Sequence, residues 1–115
     1  MRLWFANAPP WLQVRPLRSR PDPAPDFLDA GEREAIALAE ELKADQILLD
    51  EIDARREAAR RKLPFIGTLG VLRRAAQLDL IDLPTTLTRL QQTTFHVHPE
   101  LIRSLLEEDA QRKTR

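Results

Sequence analysis

Several features that would point directly to a function are missing from this sequence. The 115 residues include no cysteine, which excludes a disulfide framework and a metal site built on thiolates. The 18 basic residues balance the 18 acidic ones, so no overall positive charge suggests nucleic-acid binding, although a local basic patch is compatible with neutrality. The longest apolar runs fall far short of the about 20 residues needed to cross a bilayer. We therefore expect a cytoplasmic protein without membrane contact.

Two common catalytic motifs are also absent. The sequence has no G-x-x-x-x-G-K-[ST] loop, since residues 67–70 read GTLG and lack the lysine, which argues against a P-loop ATPase. No arrangement of Ser, His and Asp or of Cys and His supports a covalent mechanism. His96 and His98 alternate like two metal ligands on one strand face, but no third ligand is evident nearby.

The composition indicates one folded domain with a distinct N-terminal segment. Apolar residues make up 43% and charged residues 31% of the chain, as in a typical globular protein. Six of the nine prolines lie between Pro9 and Pro25, where they leave little capacity for regular structure. We divide the chain into a proline-rich segment with a short strand at 11–14 (1–26), a folded domain (27–108) and a frayed tail (109–115).

The folded domain is predicted to be α/β, with a short parallel sheet flanked by helices. Asp29 and Glu32 have the spacing of a capping box at the start of the first helix. The apolar run at 46–49 is typical of a strand buried on both faces of a parallel sheet. Thr68 is expected to be the N-cap of a later helix. The predicted alternation of helix and strand covers residues 30–43, 46–49, 51–62, 65–66 and a helix from 68 onward.

Beyond this alternation, the remaining residues predict two more helices. Pro84 can start a short helix, and Pro99 is placed to open the last helix at its first position. The stretch 93–97 between them is β-prone.

The acidic pair Asp50 and Glu51, at the end of the first predicted strand, is the sharpest candidate site. Open parallel sheets place their functional sites at the carboxyl ends of the strands, and a carboxylate there can bind a divalent ion. The alternative, which we weight about equally, is that Asp50 only caps the helix that follows it.

Other charged residues near this edge have two interpretations each. Glu32 could reach the same edge as Asp50, although a capping-box residue already has a structural role. Arg55 lies one turn into the next helix, where it could bind a phosphate or pair with Glu51 four residues earlier. The basic residues that end this helix are most simply a solvated surface: Arg56, Arg60, Arg61 and Lys62.

Three blocks in order, LDAGEREAIALA (28–39), ADQILLDEIDAR (44–55) and GTLGVL (67–72), resemble a known family. They are similar to PIN-domain proteins, predicted nucleic-acid-binding proteins related to VapC toxins. The segment PWLQV (10–14) looks like the family sequence just upstream. The resemblance covers roughly the C-terminal two thirds of the family domain, which implies a partial three-layer PIN-like fold with its first strand missing.

The resemblance implies a metal-dependent ribonuclease that hydrolyses RNA phosphodiesters with Mg²⁺ or Mn²⁺. Carried over by position, Glu32 and Asp50 are the catalytic residues, Glu51 joins them as a metal ligand, and Arg55 and Thr68 contact the nucleic acid. It also implies a small DNA-binding antitoxin as a partner. A chain without the first strand would expose Ile47, Leu48 and Leu49 along an unpaired edge, so we also expect self-association, for example as a homodimer. Because the family's N-terminal acidic residues have no counterpart, we expect this truncated chain to be inactive. The alternative is a non-catalytic interaction module that binds an antitoxin or self-associates.

Overall fold

The computed structural model describes residues 7–18 and 28–114, which contain five helices and two strands. The two strands pair in parallel, with Ile47 opposite Phe65 and Leu48 opposite Ile66. The predicted α/β class is confirmed, because a helix connects the paired strands and further helices follow. In chain order the elements are α1 (Ala30–Leu42), β1 (Ile47–Leu48), α2 (Ile52–Arg60), β2 (Phe65–Ile66), α3 (Thr68–Gln77), α4 (Leu83–Gln91) and α5 (Pro99–Lys113).

The start of α1 follows the predicted capping box. The Asp29 carboxylate accepts a bond from the Glu32 backbone N–H at 2.7 Å, and the Glu32 carboxylate accepts one from the Asp29 N–H at 3.1 Å. These reciprocal bonds satisfy two backbone donors that have no partner within the helix. The helix ends at Lys43, whose φ of 51° is left-handed. The first helix and its cap are thus confirmed.

Strand β1 is shorter and more exposed than the sequence predicts. It spans two residues, and the sheet has two strands within the described residues. Ile47 and Leu49 are buried, whereas 57% of the Leu48 surface is exposed. The prediction of a strand buried on both faces is therefore wrong. Residues of α1 and α2 pack around Ile47 and Leu49, while Leu48 points to the opposite face of the strand.

The buried apolar residues form two separate clusters. We call residues 28–67 the strand half and residues 68–113 the helical half. The two clusters share no buried residue. None of the described helices is long and apolar enough to cross a membrane. The strand half buries Leu28, Ile36, Ala39, Ile47, Leu49, Ala54 and Ala58. The helical half buries Leu69, Ala76, Leu83, Leu87, Ile102 and Leu105.

Residues 7–18 form no helix or strand. The strand predicted at 11–14 is wrong, and the large apolar side chains of Trp11 and Val14 are mostly exposed. A strand needs a neighbouring strand for its backbone bonds, and within the described residues β1 and β2 pair only with each other.

The C-terminal region also differs from the prediction in two places. Residues 93–97 form a turn and irregular chain, where a strand was expected. Helix α5 continues through Asp109 to Lys113, in place of the frayed tail expected from Asp109. The Asp109 carboxylate is buried and accepts from Arg112 at 3.0 Å and pairs with Lys113 at 2.8 Å. These charge-assisted contacts hold the last turn.

Ion pairs around the buried Glu57 carboxylate hold the C-terminal end of α2. The Glu57 carboxylate accepts bonds from Arg60 at 2.5 and 2.8 Å and from Arg61 at 2.7 Å, and Arg61 also reaches Glu40 of α1 at 2.6 Å. Only 9% of the Arg61 side chain is exposed. The interpretation of this helix end as a solvated surface is therefore wrong for Arg61, which the sequence could not distinguish from its neighbours.

Candidate functional site

The carboxyl ends of the two strands meet at Asp50. One Asp50 oxygen accepts a bond from the Thr68 backbone N–H at 2.8 Å, and the other accepts one from the Thr68 hydroxyl at 2.7 Å. Asp50 therefore caps α3, the helix after the neighbouring strand, and the prediction that it caps α2 is wrong. Thr68 is the first helical residue and Gly67 is the N-cap, so Thr68 is a donor to the site and not the cap that was predicted.

Arg55 supplies a positive charge at this edge of the sheet. Its Nε donates to the Leu49 carbonyl at 2.8 Å, and its Nη2 lies 3.9 Å from an Asp50 oxygen. The guanidinium carbon is 5.7 Å from the centre of the Phe65 ring, within the range of a cation–π contact. Arg55 thus turns towards Asp50, and the alternative of an ion pair with Glu51 is wrong.

Gly67 makes room for the Arg55 side chain. A Cβ placed on Gly67 would lie 1.9 Å from Arg55 Nη2 and 3.1 Å from Asp50 Oδ1. The first distance is a clash, so the guanidinium occupies space that a side chain at this position would fill. The Gly67 backbone has φ −95° and ψ 172°, which any residue can adopt. The need for glycine here is therefore spatial.

A groove of about 1020 Å³ extends from the Asp50 edge to the helical half. Its lining combines acidic, basic and apolar side chains from both halves of the molecule. Its residues in the strand half include Asp50, Glu51, Ile52, Arg55, Phe65, Ile66 and Gly67. Its residues in the helical half include Leu69, Gly70, Arg73, Phe95, His96, Leu101, Ser104 and Glu108.

The structure brings some of the predicted site residues together and leaves one apart. Asp50, Arg55 and Thr68 are in contact, and Glu51 lines the same groove next to them. Glu51 is the N-cap residue of α2, and its side chain makes no capping bond. Glu32 does not line the groove, and its carboxylate is engaged in the capping box of α1.

The donor set at this edge does not suit the divalent ion that the resemblance implies. Mg²⁺ and Mn²⁺ take carboxylate oxygens as ligands, but both Asp50 oxygens already accept bonds from Thr68. Arg55 places a positive charge 3.9 Å from the same carboxylate. Among residues 7–18 and 28–114, no three acidic, histidine or cysteine side chains are grouped to hold a metal ion.

The two histidines have separate surroundings. His96 lines the groove, while His98 caps α5, with its Nδ1 accepting from the Glu100 N–H at 3.1 Å. The sequence did not reveal the roles of Phe65, Gly67 and His96 at the groove. For Gly67 a signal existed, because a glycine after a predicted strand can permit a close approach.

Fold and site together define an α/β domain with an acidic strand end beside an arginine. A family model described as a PIN domain matches residues 2–111. The chain belongs to the PIN-domain family, as the resemblance predicted, and this family has a nuclease-type fold associated with nucleic-acid binding and divalent metals. The searches of curated proteins and of solved structures found no match.

Proposed function

We propose that this PIN domain is a VapC-like protein that binds RNA in the groove at Asp50. In this proposal it acts in the cytoplasm, and its other partner is a small DNA-binding antitoxin. The observation that carries the proposal is the convergence of Asp50, Arg55 and Thr68 at the carboxyl ends of two parallel strands, where open sheets of this kind bind their ligands.

The groove has the chemistry that an RNA strand requires. A guanidinium can form two parallel bonds with a phosphate, and the Arg55 guanidinium lines the groove next to Asp50. The lining includes Phe65 and Phe95, and aromatic rings give unpaired bases surfaces for stacking. Arg55 and Thr68 are the proposed nucleic-acid contacts.

Among residues 7–18 and 28–114, two of the carboxylates proposed for metal-dependent cleavage lie at this edge. Of the three residues proposed as metal ligands, Asp50 and Glu51 lie at the groove and Glu32 is engaged elsewhere. We therefore expect Mn²⁺ to bind with a dissociation constant on the order of millimolar. We also expect this chain alone to bind RNA without hydrolysing it. RNA cleavage that survives combined Glu32→Ala and Asp50→Ala substitutions would show that the assigned site is wrong.

Fluorescence anisotropy with a labelled, unpaired RNA oligonucleotide tests the RNA proposal. Arg55→Met should weaken binding roughly fivefold and lower the slope of log affinity against log salt by about one, because one phosphate contact is lost. Arg56→Met is the matched control, since Arg56 is exposed on the same helix and does not line the groove. Equal affinities for the two variants, or no RNA binding by the unaltered chain, would contradict the proposal.

One observation favours the alternative of a non-catalytic interaction module. Leu48 is 57% exposed on a strand of a two-stranded sheet, and an exposed apolar strand at a sheet edge promotes pairing between chains. In this alternative the chain forms a homodimer or binds an antitoxin through this edge. Gel filtration should then show self-association that Leu48→Lys removes. A stable monomer before the substitution would refute this alternative.

A further inference from the structure

A positively charged side chain of the protein itself, Arg55, already lies next to the Asp50 carboxylate. Arg55 Nη2 lies 3.9 Å from Asp50 Oδ1, while Nε is fixed by the Leu49 carbonyl at 2.8 Å. The Phe65 ring lies beneath the guanidinium at 5.7 Å. These three contacts restrain the Arg55 side chain and orient its charge towards Asp50.

The space for this cation is provided by Gly67. Its missing side chain leaves the volume that Arg55 Nη2 occupies, since a Cβ there would be 1.9 Å away. Its backbone conformation does not itself require glycine. The backbone of α3 thus begins close to Asp50, and the guanidinium fits between the two.

A divalent ion at Asp50 would meet both the guanidinium and the existing hydrogen bonds. Mg²⁺ needs an oxygen ligand at about 2.1 Å, so an ion on Oδ1 would come within a few ångströms of the Arg55 charge. Two cations this close repel strongly, and more so beside a partly buried surface than in bulk water. The carboxylate can therefore be neutralised by one of them at a time.

We propose that Arg55 is the resident cation of the Asp50 site and that the guanidinium and a Mg²⁺ or Mn²⁺ ion exclude one another there. The proposal extends the proposed function and rests on it for the expectation that Mg²⁺ or Mn²⁺ is the competing ion. Arg55 is thus a positioning residue that sets the metal affinity of the site.

Electron paramagnetic resonance of free Mn²⁺ in the presence of the full chain, without RNA, tests this exclusion. Arg55→Met should bind Mn²⁺ about tenfold more tightly than the unaltered chain, because the repulsion is removed. Arg56→Met removes an equal charge outside the groove and should leave the affinity unchanged. An unchanged or weaker affinity in Arg55→Met would overturn the proposal.

Gly67→Ala tests the same point with every charge retained. The new Cβ would displace the guanidinium from its place, so Mn²⁺ affinity should rise several-fold in a chain whose circular dichroism shows it to be folded. The gain should vanish when Asp50→Asn is added. If Arg55→Met tightens Mn²⁺ binding and a folded Gly67→Ala does not, distant charge explains the effect and the exclusion is contradicted.

These measurements separate the two proposals. Mn²⁺ affinity without RNA reports only on the exclusion, whereas RNA anisotropy without divalent ions reports only on the proposed function. If Gly67→Ala fails to fold, Arg55→Met combined with Asp50→Asn still shows whether the tenfold gain arises at the Asp50 carboxylate. Loss of the tenfold gain in that double variant supports the exclusion, and its persistence overturns it.

Discussion

The strand half and the helical half each bury one carboxylate, but they do so in different surroundings. Glu57 in the strand half and Asp109 in the helical half both pair with the basic residues three and four positions later on their own helix. Arg61, a partner of Glu57, is 9% exposed, whereas the partners of Asp109 are 31% and 45% exposed. Arg60, the other partner of Glu57, is 66% exposed, so it is the Glu57–Arg61 pair of the strand half that is removed from water.

This difference matters for the site because Glu57 and Arg55 lie on the same helix. Helix α2 is nine residues long, too short to be stable in water on its own. Its C-terminal end is held by the Glu57 network and by Arg61 bound to Glu40. The site thus depends on a charged anchor in the strand half, while the helical half supplies the far wall of the groove.

The largest expected effect distinguishes the two buried carboxylates directly. Glu57→Gln leaves the buried Arg61 with only the partly exposed Glu40 as an anionic partner, and we expect it to lower the free energy of unfolding by about 3 kcal/mol. Asp109→Asn should lower it by only about 1 kcal/mol, since its partners can turn to water. Urea unfolding followed by circular dichroism at neutral pH measures both. Equal losses would remove the distinction between the halves.

Lowering the pH should test the same difference between the two buried carboxylates. Hydrogen bonds from Arg60 and Arg61 lower the pKa of Glu57 from 4.5 to about 2, and bonds from Lys113 and Arg112 lower the pKa of Asp109. A carboxylate with a lowered pKa stabilises the fold above its unfolded pKa, and this stability is lost as the pH falls towards the folded value. The contribution of Glu57 should therefore disappear between pH 4.5 and about 2.

The melting temperature across this acid range checks the assignment. Glu57→Gln should show a flatter dependence of stability on pH than the unaltered chain, because the titrating group is gone. Asp109→Asn should remove a separate part of the slope. Parallel curves for the unaltered chain and Glu57→Gln would show that another group controls acid unfolding.

A third comparison concerns the two helices that aspartates cap. Asp50 caps α3 from 18 residues away, while Asp82 caps α4 locally through the Thr85 N–H at 3.1 Å. Asp50→Ala should destabilise the chain by about 2 kcal/mol and Asp82→Ala by about 1 kcal/mol, since Asp50 also bonds the Thr68 hydroxyl. Urea unfolding measures both losses. A smaller loss for Asp50→Ala would mean that this cap contributes little to joining the strand ends.

The smallest expected effect lies in the helical half. His98→Ala removes the cap of α5 and should reduce stability by about 0.5 to 1 kcal/mol. His96→Ala, the matched control, makes no such cap and should leave stability unchanged. Thermal unfolding of the two variants provides the measurement. A large loss for His96→Ala would give that residue a structural role that the groove does not explain.

Local sequence patterns were sufficient to predict much of the fold. The α1 cap depends on two residues three positions apart, and the parallel pairing follows from the alternation of helix and strand. Such features are set by neighbouring residues and can be read along the chain. The partner of Asp50 could not be read in this way, because Thr68 becomes its neighbour only when the strands pair.

The remaining errors share this cause. The sequence predicted a buried Leu48 because its neighbours are apolar. The packing of α1 and α2 decides which face of the strand is buried. Arg61 looked solvated because its neighbours are basic, but its burial depends on Glu40, 21 residues earlier. At the site, the sequence indicated Asp50 and Arg55 as residue types, while their contact required the folded chain.

The central claim, that the Asp50 edge of the strand half is where RNA binds, can be tested by nuclear magnetic resonance. Amide shifts of the ¹⁵N-labelled full chain are followed while a short unpaired RNA is added without divalent ions. We predict the largest changes at Asp50, Arg55, Gly67 and Thr68, with smaller ones at His96 across the groove. Changes confined to α4, or none at any RNA concentration that the sample tolerates, would contradict the account.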